Sequence, residues 1–391
     1  MSTAPETTAR GPGVSSKQIF PLLAGYWAFG QYWGVWVILV FDFNRVHDLT
    51  FGQSGLLLTV LSASAVLVMA LLAPRLQGLS LDTSVPISLI SLAVGAVAIA
   101  ALPSGSIWIA FVVVGLGNGL IDVYMNVAAQ RVESRIRRPV LQWMHASYAL
   151  GGVTGATVAG TLRTLDVDFR VGFVFTAVAL LVTALPNRSR GLAEPGAQGG
   201  RSVFSLSAFR RHQALWVPAL IVLSAFLVEG SMDTWSGLYL QEQLGATPAA
   251  AAAAFTGFSA SLFLGRLFAG RVLFGLGPRR TVLIAGVGAA IGGSVAALSD
   301  STMVVGAAFL LMGFAISAAA PAGFSLVDEI PGSEATSAVT AVTTVGYTGF
   351  VWSPPIYGWI ADSYSLRAAM IVIVSATFGI VLSGLLARGK R

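Results

Sequence analysis

The chain has 391 residues, with 23 Lys or Arg against 17 Asp or Glu; charged residues make up 10% and hydrophobic ones 55%, with 44 Gly besides. A soluble domain carries about 25% charged residues, and no soluble fold of this length hides so much apolar surface, so the chain is an integral membrane protein. Cysteine is absent and the three His (His47, His145, His212) are scattered, which excludes disulfides, thiol catalysis and a His- or Cys-based metal site. The net charge of +6 reflects orientation in a bilayer rather than a nucleic-acid partner.

Residues 1–18 are rich in Thr, Pro, Gly and Ser and read as a disordered tail. A membrane helix needs about 20 apolar residues. Gly, Pro and charged breaks delimit twelve such runs, near 19–42, 54–73, 84–102, 106–132, 139–162, 169–186, 215–240, 249–275, 279–298, 302–326, 335–361 and 367–387. The fold class expected is therefore all-α, with one six-helix bundle over 19–186 and a second over 215–387. A Gly/Arg-rich linker, 187–214, separates them, and 388–391 form a short tail. Within the linker, Phe204 to His212 reads as an interfacial helix with Phe204, Leu206 and Phe209 toward lipid. Placing both termini in the cytoplasm puts 19 of the 23 basic residues on the inner side, leaving Arg45, Arg163, Arg170 and Arg367 outside. The expected location is a bacterial inner membrane, and the expected state a monomer.

Polar groups within these runs are costly, an Asp at mid-membrane by about 2.5–3.5 kcal/mol on the insertion scale. Asn118, Asp122, Asn126 and Gln130 stand four apart and form one stripe on the fourth run. The stripe fits a cavity wall for a polar solute with Asp122 as its ionisable centre, or a row of interhelical hydrogen bonds. Glu229 and Asp233 lie one turn apart on the seventh run. Two buried carboxylates this close suit a shared proton, hence proton coupling through Asp122, Glu229 or Asp233; the alternative is that one of them pairs with a nearby base. His145, with Gln142 and Tyr148 three residues to either side, fits a titrating gate or a packing role equally. Gly151, Gly152, Gly155, Gly160, Pro321 and the pair Pro354–Pro355 permit close helix contact or bending. No G-x-x-x-x-G-K-[ST] run exists, and the only lysines are Lys17 and Lys390, so no nucleotide-driven step is expected. No cofactor, metal or catalytic residue is expected.

The halves echo each other: Arg75 follows Pro74 at the end of the second run, and Arg271 follows Gly270 at the end of the eighth, 196 residues later. SYALGGVTGATVAG (147–160) likewise stands beside GYTGFVWSPPIYG (346–358). The segment GRLFAGRVLFGLGPRR (265–280) resembles the turn between spans 8 and 9 of the major facilitator superfamily, and APRLQGLSLDTS (73–84) is a degenerate form of the equivalent turn, keeping Arg75, Gly78 and Asp82. GLGNGLIDVYMN (115–126), WMHASYALGG (143–152) and EGSMDTWSGLYL (229–240) resemble a bacterial branch close to fucose permeases. The drug-antiporter signature of the fifth span is matched in its glycines but lacks its Pro.

The resemblance implies a two-bundle secondary transporter, not an enzyme, working by alternating access with a small-molecule substrate and protons as partners. It implies that span 1 lines the cavity, so Tyr26 and Gln31 become contact candidates, with Trp235 and Tyr347 added on the same reasoning. It implies gating by Arg75, Arg266 and Arg271, the last two latching onto Asp328, Glu329 or Glu334 on the inner side. The function expected is proton symport of a small polar solute, such as a sugar. The alternatives are proton-coupled efflux of a drug or secondary metabolite, and a non-transporting sensor.

Overall fold

A computed structural model of the chain describes residues 16–72, 75, 79–136, 140–188, 207–327, 329–330 and 335–387. Most of the expected tail and linker, with Phe204, Leu206, Asp328 and Glu334, lies outside them. No β-strand occurs among the described residues. The helices are α1 (Ser16–His47), α2 (Phe51–Leu67), α3 (Leu81–Ala101), α4 (Ile107–Ile136), α5 (Val140–Thr164), α6 (Phe169–Ala184), α7 (Ser207–Arg211), α8 (Trp216–Leu238), α9 (Pro248–Leu276), α10 (Pro278–Leu298), α11 (Thr302–Ile316), α12 (Ala319–Val327), α13 (Ala335–Ser363) and α14 (Leu366–Leu386). Nine segments among the described residues are long and apolar enough to cross a membrane; one of them, Thr302–Val327, joins α11 to α12. The helices α1, α5 and α13 are long as well, at 32, 25 and 29 residues, but their Gly, Tyr, Trp and hydroxyl side chains dilute their apolar character.

Local chemistry sets the ends of these helices. At α2, Thr50 accepts from the Gln53 amide while the Gln53 side chain accepts from the Thr50 amide, a reciprocal cap. Thr247 caps α9 and Pro248 supplies its first turn. That helix stops at Gly277, whose φ of +75° an L side chain rarely adopts, and Pro278 starts α10 at once. Apolar side chains also face outward along whole helices, for example Val174 and Val178 on α6 and Ile284, Val287 and Ile291 on α10. A soluble protein does not expose such stripes; a lipid-facing one does.

Small residues let helices meet backbone to backbone. A Cβ on Gly30 of α1 would lie 1.9 Å from the Tyr148 carbonyl oxygen of α5, and one on Gly155 of α5 would lie 2.2 Å from the Gln31 oxygen of α1. The first and second halves meet by the same device at the end opposite the chain termini. There a Cβ on Gly237 of α8 would lie 2.1 Å from the Val37 oxygen of α1, and one on Gly358 of α13 would lie 2.3 Å from the Phe51 oxygen of α2. The Asp362 carboxylate, at the end of α13, accepts from the Phe51 and Gly52 amides at 2.8 and 2.7 Å. It thereby caps the positive end of a helix from the other half. Pro355 has no N–H for the Val351 carbonyl, and Thr59 of α2 donates to that oxygen at 3.5 Å. This seam closes one end of the molecule.

Two expectations are corrected here. Phe209 does not face lipid: it is 5% exposed, stacks on Trp216 with ring centres 4.4 Å apart, and packs into a cluster with Val222, Val327 and Ala341. Trp235 does not reach a cavity. It is 1% exposed, stacks on Tyr357 at 5.1 Å and meets Phe51 edge-on, and so belongs to the seam.

Candidate functional site

Below the seam, between the halves, lies a cavity of about 310 Å³. It is bordered by α1, α2, α4 and α5 from the first half and by α8, α9 and α13 from the second. Because α2 and α9 run away from the seam, Met69 and Arg266 line its far part, so the cavity reaches toward the end that carries the termini.

Tyr26, Gly30 and Trp33 present the cavity face of α1, at a spacing of four and then three residues. Gln31 is one residue off that face, about 100° around the helix. It is fully buried, its backbone lies against Gly151 and Gly155 of α5, and its side-chain amide makes no hydrogen bond among the described residues. The cavity contact expected of Gln31 is therefore corrected: it is buried at the α1–α5 crossing and does not border the cavity.

The stripe on α4 does face the cavity through Asn118, Asp122 and Asn126, whereas Gln130 lies beyond it, exposed. These groups hold one another. Tyr26 donates its hydroxyl to Asn126 Oδ1 at 2.8 Å, Trp33 Nε1 donates to Asn118 Oδ1 at 3.3 Å, and Asn126 Nδ2 donates to the Asp122 backbone oxygen at 2.6 Å. Across the cavity, Tyr347 of α13 directs its hydroxyl at Asp122 Oδ2, 3.4 Å away. Asp122 thus receives neutral donors from both halves. His145 borders the cavity beside them, edge-on to Tyr26 with ring centres 5.9 Å apart.

The opposite wall is charged. Glu229 and Asp233 share the cavity face of α8 with Gly230 and Thr234. Arg266 of α9 forms an ion pair with Glu229 at 2.5 Å. This corrects the expected latch between Arg266 and the acids near α12: the α9 helix runs ten residues past Arg266 to Leu276, about 15 Å at 1.5 Å per residue, so the side chain sits deep in the cavity and not at the helix end. Arg75 and Arg271 are exposed and do not border the cavity; Arg75 donates to the Leu71 carbonyl at 2.7 Å. Asp233 borders the cavity and makes no hydrogen bond or ion pair among the described residues.

Sequence reasoning missed the apolar lining. Phe255, Ser259, Leu262 and Phe263 of α9, with Phe29, Tyr148 and Phe350, give the cavity an aromatic and aliphatic wall. The only trace of it in the sequence is the helical spacing of 255, 259, 262 and 266, which any membrane helix shows. No cluster of three or more His, Asp or Glu suited to a metal occurs among the described residues.

The family model of the Major Facilitator Superfamily matches residues 21–354 and 234–389. An MFS-type transporter of Yersinia pestis, itself described as uncharacterized, is 31% identical over 379 residues, covering 94% of this chain and 95% of the relative. In overall fold the chain is similar to the nucleoside transporter NupG (TM-score 0.78, 13% identity, 95% of this chain and 100% of that one). It is similar also to a bacterial homologue of the human lysosomal transporter Spinster (TM-score 0.73, 15% identity, 97% and 100%). A multi-pass helical membrane protein of this kind transports solutes and is not an enzyme, and the chain belongs to the major facilitator superfamily.

Proposed function

We propose that the chain is a proton-coupled secondary transporter that moves a small polar solute through the central cavity by alternating access. It crosses a bacterial inner membrane twelve times, as two six-helix bundles with both termini inside. The observation that carries this reading is the convergence of Asp122, Glu229, Asp233 and Arg266 on one cavity between the halves, where ionisable groups are expensive unless they serve a solute or ion. The Asn118–Asp122–Asn126 wall suits a ring-bearing solute with hydroxyl groups, such as a sugar or a nucleoside, taken up by symport. Substrate contacts come from Tyr26, Asn118, Asp122, Asn126 and Tyr347. Proton coupling runs through Asp122, Glu229, Asp233 and His145, and Arg75 and Arg271 gate the inner side. The NupG-like fold is compatible with such a solute.

Proteoliposomes under an imposed pH gradient test this. Accumulation of one member of a sugar and nucleoside panel, abolished by a protonophore and by Asp122→Asn, is the expected result. Solute movement indifferent to both would contradict it. A second reading, efflux by proton exchange, is favoured by a separate observation: Asp233 has no partner and stands near aromatic walls.

A further inference from the structure

The cavity holds three carboxylates and one guanidinium, and the structure distributes their partners unevenly. Glu229 is paired with Arg266. Asp122 is met by the Tyr347 hydroxyl and the Asn126 amide. Asp233 is left over, one helical turn from Glu229 and on the same cavity face. A carboxylate without a protein partner in a cavity between membrane helices is compensated by a proton or by a cation from outside the protein. The groups around the cavity that could answer it are Glu229 on its own helix, Arg266 on α9, Asp122 on α4, His145 and Tyr148 on α5, Tyr26 on α1 and Tyr347 on α13. Of these only Arg266 is a fixed cation, and Glu229 already holds it. The remaining wall, with Trp33, Tyr148, Phe255, Phe263 and Phe350, brings aromatic side chains to the cavity, a lining suited to a positive charge and to the apolar body that carries it.

We infer that Asp233 is the selectivity carboxylate of the site, and that it takes either a proton or the ammonium group of an amine-bearing aromatic or aliphatic solute, but not both at once. This rests on the proton-coupled reading above, in its exchange form. When the ammonium docks, the Asp233 carboxyl releases its proton to water in the cavity and the charge balance of the site is unchanged. When the ammonium leaves, a proton returns. Affinity for the cation therefore falls as pH falls, because protons compete for the same oxygen atoms.

The test uses the full-length purified protein in detergent and ligand pairs of like shape, one charged and one neutral, tyramine against tyrosol and benzyltrimethylammonium against neopentylbenzene. Binding is read by the shift in unfolding temperature and by intrinsic Trp fluorescence, between pH 6 and pH 8.5. The expected result is preference for the charged member of each pair, apparent Kd rising at least about fivefold on acidification. Asp233→Asn should abolish both the preference and the pH dependence, and Asp233→Glu should restore them in part. Glu242→Gln, at an exposed carboxylate that does not border the cavity, should retain the charge preference, which marks Asp233 as specific. No binding of any cation by the folded wild-type protein, equal binding of charged and neutral members, or unchanged preference in a folded Asp233→Asn protein would overturn the inference. Loss of gradient-driven transport with Asp233-dependent cation binding intact would instead count against the proton-coupled reading and leave this assignment standing.

Discussion

The two walls of the cavity solve the same problem differently. The wall built from α1 and α4 buries polar groups by letting neutral donors and acceptors satisfy one another: Tyr26 with Asn126, Trp33 with Asn118, and Asn126 and Tyr347 with Asp122. The wall built from α8 and α9 uses full charges, compensates one carboxylate with Arg266 and leaves the next without a partner. A neutral network fixes shape and reads hydroxyl or amide groups. An ionic wall with one uncompensated member responds to charge and to protons. On this reading the first wall suits recognition of neutral polar groups and the second a response to charge, with Asp122 facing both.

The largest expected break comes from Arg266→Met. It strips the counter-charge from Glu229, one helical turn from the unpartnered Asp233. Removing one partner of a buried pair costs about 3–5 kcal/mol; Arg266 is 43% exposed on the cavity side, so screening reduces this to about 1–2 kcal/mol. Transport should fall below detection, with a lowered unfolding temperature by fluorimetry. Adding Glu229→Gln to it should recover stability, the signature of coupling between the two sites. If the two changes add independently, the ionic wall is not a unit.

Smaller effects sharpen the neutral wall. Asn126→Ala removes the acceptor for Tyr26 and a donor to Asp122; at about 0.5–1.5 kcal/mol per hydrogen bond, solute Kd should rise about tenfold with its pH dependence unaltered. Tyr347→Phe should weaken binding less, because its contact to Asp122 is long. Trp33→Phe, which loses one 3.3 Å bond and keeps the ring, should change Kd by about two- to threefold. Equilibrium binding of the identified solute ranks all three; a pH-dependent defect in any of them would blur the division between the walls.

The groups that define the walls differ in how far the sequence reveals them. Asn118, Asp122 and Asn126 are legible because their four-residue spacing is a helix face and their cost in lipid demands a purpose. Glu229 and Asp233 are legible for the same reason. Gln31 carried the same signal of a polar group in an apolar run, yet the α1–α5 glycine crossing, which depends on two segments over a hundred residues apart, turns it into the packing. Trp235 is likewise drawn into the seam by Tyr357 and Phe51, partners from distant segments. Arg266 lies in a segment that resembles a cytoplasmic turn, yet α9 continues past it to Leu276, which sets it back from the helix end and beside Glu229. The aromatic wall shows only a helical spacing, since apolar residues facing a cavity and those facing lipid look alike in one sequence.

The division between the walls is tested most directly by counting protons released when a binding cation is added to the protein in unbuffered detergent solution near neutral pH. Wild type and Glu242→Gln, at an exposed carboxylate outside the cavity, should both release protons in proportion to cation bound, and Asp233→Asn should release none. Release that survives in Asp233→Asn, or that is absent from wild type while the cation binds, would contradict the assignment of proton exchange to Asp233 on the α8 wall.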